Sequence, residues 1–74
     1  MKVTIFIRII GKINSKELWG LIEHFCDINV TDCDNYTLVY GECYLETMSR
    51  IVYHCALYGD IVAEISHRNW KGAL

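Results

Sequence analysis

The feature that most constrains the fold is an internal repeat, because the chain resembles itself 33 positions further along. Aligned positions share the same polarity: residues 3–7 (VTIFI) with 36–40 (YTLVY), Leu18 with Ile51, Ile22 with Cys55, and 27–28 with 60–61. Each half has a strand of period two, then a helix with apolar positions three or four residues apart, then a second strand. The chain is therefore built from two similar β-α-β units.

Two such units in tandem predict the order β-α-β-β-α-β, which is the ferredoxin-like arrangement of the α+β class. We expect a four-stranded antiparallel sheet, in the order 4-1-3-2, with both helices on one face. A length of 74 residues allows one domain. That single domain, 1–74, divides into a first half (1–33), a second half (34–67) and a tail (68–74).

The predicted strands cover 2–10, 28–32, 36–42 and 61–67. The first helix follows Asn14, which is a good N-cap residue, and the second helix covers 48–58. We expect a three-residue turn, 33–35, between the second and third strands. This turn length directs Leu38 and Tyr40 toward the helices and leaves Val39 on the uncovered face.

The uncovered face of this sheet is predicted to be apolar at its centre, which is typical of a contact surface. The expected interface residues are Phe6, Arg8, Val39, Val62, Glu64 and Trp70 of the tail. Arg8 and Glu64 would orient a partner at the rim. The sequence therefore favours a non-enzymatic interaction module, a homo-oligomer or a subunit of a larger complex. In the opposing interpretation, Trp70 folds back and covers the patch.

Nucleic-acid binding on the same face is the alternative. IFIRII, residues 5–10, resembles the first-strand motif of RNA recognition motifs, with Phe6 at the aromatic position. The resemblance implies that bases stack on the open sheet, helped by Arg8 and the tail residues Arg68, Trp70 and Lys71. Two observations weigh against it. Thr37 and Val39 occupy the matching positions of the third strand, and the net charge is −2.

The four cysteines favour a reduced, cytoplasmic protein. The opening MKVTIFIRIIG is not a good signal peptide, since Arg8 interrupts its apolar run. His54 and Cys55 are adjacent, but neighbouring helical residues point about 100° apart, so we interpret Cys55 as a core residue. No nucleophile has a convergent histidine and acid, and we expect neither an enzyme nor a membrane partner.

Two weaker groupings suggest a small-ligand or metal sensor as a further alternative. The topology places Cys26, Cys43 and His67 at one pole of the domain, where they are candidate ligands for a soft metal. Gly11 and Lys12, at the other pole, are candidates for binding a small anion near a helix N-terminus. The cysteine spacings match no common zinc motif, so no cofactor is expected.

Overall fold

The computed structural model describes residues 2–25 and 27–67, with His67 described by its backbone only. The elements are β1 (Lys2–Ile10), α1 (Ser15–Ile22), β2 (Ile28–Asp32), β3 (Tyr36–Tyr44), α2 (Leu45–Ala56) and β4 (Ile61–His67). The four strands form one antiparallel sheet in the order β2-β3-β1-β4. The predicted α+β class and strand order are confirmed. Helix α2 follows β3 directly and begins at Leu45, earlier than the sequence predicts.

Helix α1 begins as its sequence predicts. The side chain of Asn14 accepts a hydrogen bond from the backbone N–H of Glu17 at 3.2 Å, which satisfies a donor that a helix start otherwise leaves free. The carboxylate of Glu17 then accepts a hydrogen bond from the hydroxyl of Tyr58 at 2.6 Å. This bond connects α1 to the segment that follows α2.

The core lies between the sheet and the two helices. Its fully buried members come from β1, β3 and both helices: Val3, Ile5, Ile7, Ile9, Leu18, Ile22, Val39, Ile51 and Cys55. Each large aliphatic side chain contributes about 1.5–3 kcal/mol when it leaves water. The prediction for Cys55 is confirmed, and burial raises the pKa of its thiol to about 11.

The turn between β2 and β3 has two residues, so the predicted three-residue turn is wrong. The backbone N–H of Cys33 donates to the carbonyl of Tyr36 at 2.8 Å, which leaves only Asp34 and Asn35 between them. A one-residue shift moves every side chain of a strand to the opposite face. Thr37, Val39 and Cys43 are therefore buried, while Leu38 and Tyr40 lie on the uncovered face.

The backbone of β3 approaches the start of β2 closely at Gly41. Gly41 pairs with Ile5 on one side and Ile28 on the other. A Cβ at Gly41 would collide with the carbonyl oxygen of Asp27. Asp27 has a φ of 58°, which lies in the left-handed region. The backbone at this point therefore leaves no room for a side chain at position 41.

A single carboxylate ties β2 to its surroundings. Asp32 accepts a hydrogen bond from the hydroxyl of Ser15, at the start of α1, at 2.8 Å. Its other oxygen accepts from the hydroxyl of Thr37 at 3.1 Å. Thr37 is 2% exposed, and a hydroxyl buried this deeply requires a partner. Asp32 therefore joins α1, β2 and β3.

Strand β4 is less covered than its sequence predicts. Ile65 pairs with Ile5 and Ala63 pairs with Ile7, so both are on the helix side of the sheet, as expected. Ile65 is nevertheless 43% exposed, and Ala63 is exposed as well. On the other side of the strand, Val62 is 51% exposed. Among the described residues, the helices therefore leave both faces of β4 accessible.

Candidate functional site: the open face of the sheet

The side of the sheet away from the helices, called the open face, has an aromatic centre. It is formed by alternate residues of the strands, chiefly Lys2, Thr4, Phe6, Arg8 and Ile10 of β1, Tyr36, Leu38, Tyr40, Glu42 and Tyr44 of β3, and Val62, Glu64 and Ser66 of β4. Phe6 is 47% exposed and pairs with Tyr40 on β3 and Glu64 on β4. The rings of Phe6 and Tyr40 are 6.1 Å apart at a tilt of 42°, a favourable geometry for an aromatic pair.

Both cations of the open face are positioned over tyrosine rings of β3. The guanidinium of Arg8 is 5.4 Å from the ring centre of Tyr36. The ammonium of Lys2 is 5.5 Å from the ring centre of Tyr44. Cation–π contacts at such distances contribute about 0.5–1 kcal/mol at exposed sites. A hydrogen bond with Cys33 is the main cause that raises the pKa of Tyr36, and the positive charge of Arg8 acts in the opposite direction.

The charges of the open face are balanced. Lys2 and Arg8 are matched by Glu42 and Glu64, all four on the open face by strand register. A groove of about 330 Å³ lies beside Phe6 and is bordered by Thr4, Glu64, Ile65 and Ser66. The face therefore presents an aromatic centre with charges of both signs around it.

Four of the predicted interface residues lie on the open face: Phe6, Arg8, Val62 and Glu64. The placement of Val39 there was wrong. Val39 is 0% exposed and lies in the core between Ile7 and Val30, so it cannot touch a partner. Trp70 falls outside the described residues, and so does the predicted tail, 68–74.

Sequence reasoning missed the aromatic residues of β3. Tyr36, Leu38 and Tyr40 take the place that Thr37 and Val39 were expected to occupy. The sequence does contain a signal for this. Gly41 and Cys43 alternate with Val39 as small residues, which is the pattern expected where a strand lies close beneath helices.

The metal candidates gain no support. Cys26 falls outside the described residues, and only the backbone of His67 is described, paired with Val3 across from Cys43. Cys43 is 3% exposed; burial raises the pKa of its thiol, while a hydrogen bond with Thr47 has the opposite effect. Within residues 2–25 and 27–67, no three His, Cys, Asp or Glu side chains are grouped closely enough to hold a metal ion.

The geometry does not favour an anion at Gly11 and Lys12. The backbone N–H of Gly11 already donates to the carbonyl of Asn35 at 2.8 Å. The adjoining groove, of about 240 Å³, is also lined by Asp32, whose carboxylate repels an anion. Gly11 has a φ of 95°, so its role is to turn the chain after β1.

No protein-family model, curated protein or solved structure matches this chain. Neither described helix is long or apolar enough to cross a bilayer; α2, the longer, has 12 residues where about 20 are needed.

Proposed function

We propose that this protein is a small non-enzymatic interaction module that binds another protein through the open face. The observation that carries the proposal is the aromatic pair Phe6–Tyr40, with ring centres 6.1 Å apart, at the centre of a face that no described element covers. Leu38 and Val62 extend the apolar surface on either side of Arg8. Aromatic residues and arginine are the types enriched at the energetic centre of protein interfaces.

The charges support a protein partner over a polyanion. The open face has two cations and two carboxylates, and the whole chain has a net charge of −2. Binding to nucleic acid is driven largely by neutralisation of phosphates, which requires a positive surplus. A protein surface bearing both signs is complemented by another of the same kind. The cation–π contacts also hold Arg8 and Lys2 in place, which reduces the entropy lost on binding.

We place the module in a reducing compartment, the cytoplasm. The thiols of Cys33, Cys43 and Cys55 are all free, and Cys33 is half-exposed beside the β2–β3 turn. Thiols that remain unpaired although one of them is accessible are typical of reducing compartments.

The test is site-specific photo-crosslinking in cells. A benzoylphenylalanine at Thr4, which is exposed beside Phe6 on the open face, should capture a defined set of proteins. The same group at Glu46, which is exposed at the start of α2, provides the control for the helix side. Capture from position 4 should be lost when Phe6→Glu is added, because a carboxylate at the centre of the interface cannot be desolvated cheaply.

Identical captures from positions 4 and 46, or captures that survive Phe6→Glu, would contradict the proposal. Phe6→Glu should still unfold in one cooperative transition, with a loss of about 1–2 kcal/mol, because the new carboxylate lies opposite Glu64 and the ring contact with Tyr40 is removed. This control separates loss of binding from loss of the fold.

Binding of single-stranded nucleic acid is the second candidate, and one observation favours it. The register of β3 places Tyr40 beside Phe6, where the sequence alone had indicated residues that cannot stack. Two neighbouring aromatic rings on an open sheet form a stacking platform, and each stacked base contributes about 1–3 kcal/mol.

The nucleic-acid candidate is tested by fluorescence anisotropy of a labelled RNA of about ten nucleotides at low salt. If it is correct, Tyr40→Leu should weaken binding by roughly 5- to 100-fold. Tyr53→Leu, at a 62% exposed position on α2, should have no effect. Absence of binding at low salt would eliminate this candidate and leave the protein-binding proposal unaffected.

A further inference from the structure

Within residues 2–25 and 27–67, no strand pairs with the outer edge of β4, so the backbone there presents hydrogen-bonding groups that no described strand satisfies. The N–H of Ile10 donates to the carbonyl of Asp60 at 2.8 Å, which fixes the alternation along the β1–β4 ladder. In an antiparallel pair, residues that bond to the neighbouring strand alternate with residues whose N–H and C=O point away. Ile61, Ala63 and Ile65 therefore direct their backbone groups outward.

The exposed apolar side chains of β4 favour pairing of this edge with another strand. Ile65 is 43% exposed on one face and Val62 is 51% exposed on the other. Edge strands are commonly protected from further pairing by lysine, proline or a bulge. The sequence of Ile61–His67 contains neither lysine nor proline, and it pairs with β1 residue for residue without a bulge.

We propose that β4 pairs antiparallel with β4 of a second copy of this chain, joining the two sheets of four strands into one continuous sheet. The pairing is centred on Ala63, which lies opposite Ala63 of the second copy. Ile61 then lies opposite Ile65 of the second copy, and the reverse. All of these residues have outward backbone groups, so each pair exchanges two hydrogen bonds.

Side-chain complementarity selects both the occupant and the register. With Ala63 at the centre, the apolar row of Ile61, Ala63 and Ile65 continues across the junction, and Val62 lies opposite Glu64 of the second copy. A shift that centres the pair on Glu64 would place two carboxylates directly opposite each other, which is unfavourable. The register centred on Ala63 therefore keeps the apolar row continuous and separates the two carboxylates, and it is compatible with a two-fold interface.

This interface is separate from the open face and does not depend on the proposed function. Phe6 and Tyr40 project perpendicular to the sheet, whereas the β4 pairing extends the sheet within its own plane. Joining two copies would place two open faces side by side on one broad surface.

Sedimentation equilibrium of the full chain tests the inference. We expect a species of twice the 8.6 kDa chain mass. Ile65→Lys should weaken dimerisation by at least about tenfold, because a charge replaces an apolar cross-strand contact. Phe6→Glu should leave the dimer intact. A monomer at concentrations up to about 1 mM overturns the inference, as does a dimer that Phe6→Glu abolishes and Ile65→Lys preserves.

An engineered disulfide tests the register of the proposed β4–β4 pairing. In a hydrogen-bonded antiparallel pair the Cα atoms are about 5.5 Å apart, which is within disulfide range. Ala63→Cys should therefore link two copies through position 63 on mild oxidation, as identified by peptide mapping. Val62→Cys, which faces Glu64 of the second copy, should not link to itself. Links formed only through the native cysteines contradict the pairing. Slow hydrogen exchange of the β4 backbone amides in a monomer would show that another part of the same chain pairs with this edge. That result would also contradict the pairing.

Discussion

Strands β2 and β4 have corresponding places in the two halves of the chain, yet they end the sheet in different ways. Thirty-three positions separate Asp32 from Ile65 and Asn29 from Val62. Asp32 is hydrogen-bonded to Ser15 and Thr37, whereas Ile65 is exposed. One edge is thus closed by polar side chains and the other presents apolar ones. Similar halves can therefore present different edges through a few residues.

The backbone reinforces the difference between the edges. Asp27 and Cys33 both bond to β3, so Ile28 and Val30 direct their N–H and C=O groups outward from β2. Helix α1 lies beside this edge, and a groove of about 360 Å³ lined by Lys16, Trp19 and Val30 separates the two. Strand β2 also has only 5 residues, against 7 in β4. A short, partly covered edge is a poor template for another strand.

The largest effect is expected where β2 meets β3. Gly41→Ala should reduce the free energy of unfolding by about 3 kcal/mol or prevent folding, because the added Cβ collides with the carbonyl of Asp27. Urea denaturation followed by circular dichroism measures this. The matched control is Gly20→Ala in α1, where a Cβ meets nothing within 4 Å, and a gain of up to about 1 kcal/mol is expected. Similar results for both variants would contradict the close approach at Gly41.

The second prediction compares the two edges directly. Ile28→Ala should cost about 2.5 kcal/mol, because Ile28 is 4% exposed and its removal leaves a cavity. Ile65→Ala should cost less than about 1 kcal/mol, because Ile65 is 43% exposed. Unfolding is measured at low protein concentration, where association through β4 does not contribute. Equal losses would show that the edges are equally buried.

The third prediction concerns the carboxylate that closes β2. Asp32→Ala should cost about 2 kcal/mol, because the buried hydroxyl of Thr37 loses its acceptor. Asp34→Ala, in the exposed turn nearby, is the control, and a change within about 0.5 kcal/mol is expected. Thermal unfolding of the two variants side by side gives the comparison. An Asp32→Ala protein as stable as its control would mean that the carboxylate does not hold this edge together.

The smallest expected effect is a pH dependence of stability that comes from the hydrogen bond between Tyr58 and Glu17. This bond joins α1, which lies beside β2, to the segment that leads into β4. The hydrogen bond to Glu17 is the main cause that raises the pKa of Tyr58 above its ordinary value of 10.0. A raised pKa in the folded state stabilises the protein below the ordinary value, and this stabilisation is lost as the pH rises through the folded value. The stability difference between wild type and Tyr58→Phe should therefore be constant below the ordinary value and shrink as the pH rises above about 10. A constant difference would be inconsistent with this bond.

Much of the architecture could be predicted from the sequence. The bounds of β1, β2 and β4 and the order of the strands follow from apolar periodicity, which is strong in these segments. The repeat also aligns the helices correctly, since Leu18 and Ile51 are both fully buried. These features depend on local pattern and on which residues are apolar, and both are visible in the sequence.

The faces of β3 could not be predicted in this way. The buried residues of β1, such as Ile7, and those of β3, such as Val39, are all odd-numbered, so an even number separates them. The repeat offset of 33 is odd. Aligning β3 with β1 by this offset therefore assigns every side chain of β3 to the wrong face of the sheet. The loop before α1 accommodates the difference, whereas α2 follows β3 directly. Apolar bulk favoured Leu38 and Tyr40 as core residues, but the register of β3 buries Thr37, Val39 and Cys43 instead.

The β1–β4 ladder brings the first and last described strands together. Val3 pairs with His67 at one junction of the halves, just as Cys33 pairs with Tyr36 at the other. The two halves therefore meet at two equivalent antiparallel strand pairs, β2–β3 and β4–β1. A turn connects the strands of the first pair in sequence. A circularly permuted chain, opened between Asp34 and Asn35 and joined from residue 67 to residue 2, would again run β-α-β-β-α-β with the second half leading. The architecture specifies how the two halves pair, and this pairing does not depend on which half comes first in the chain.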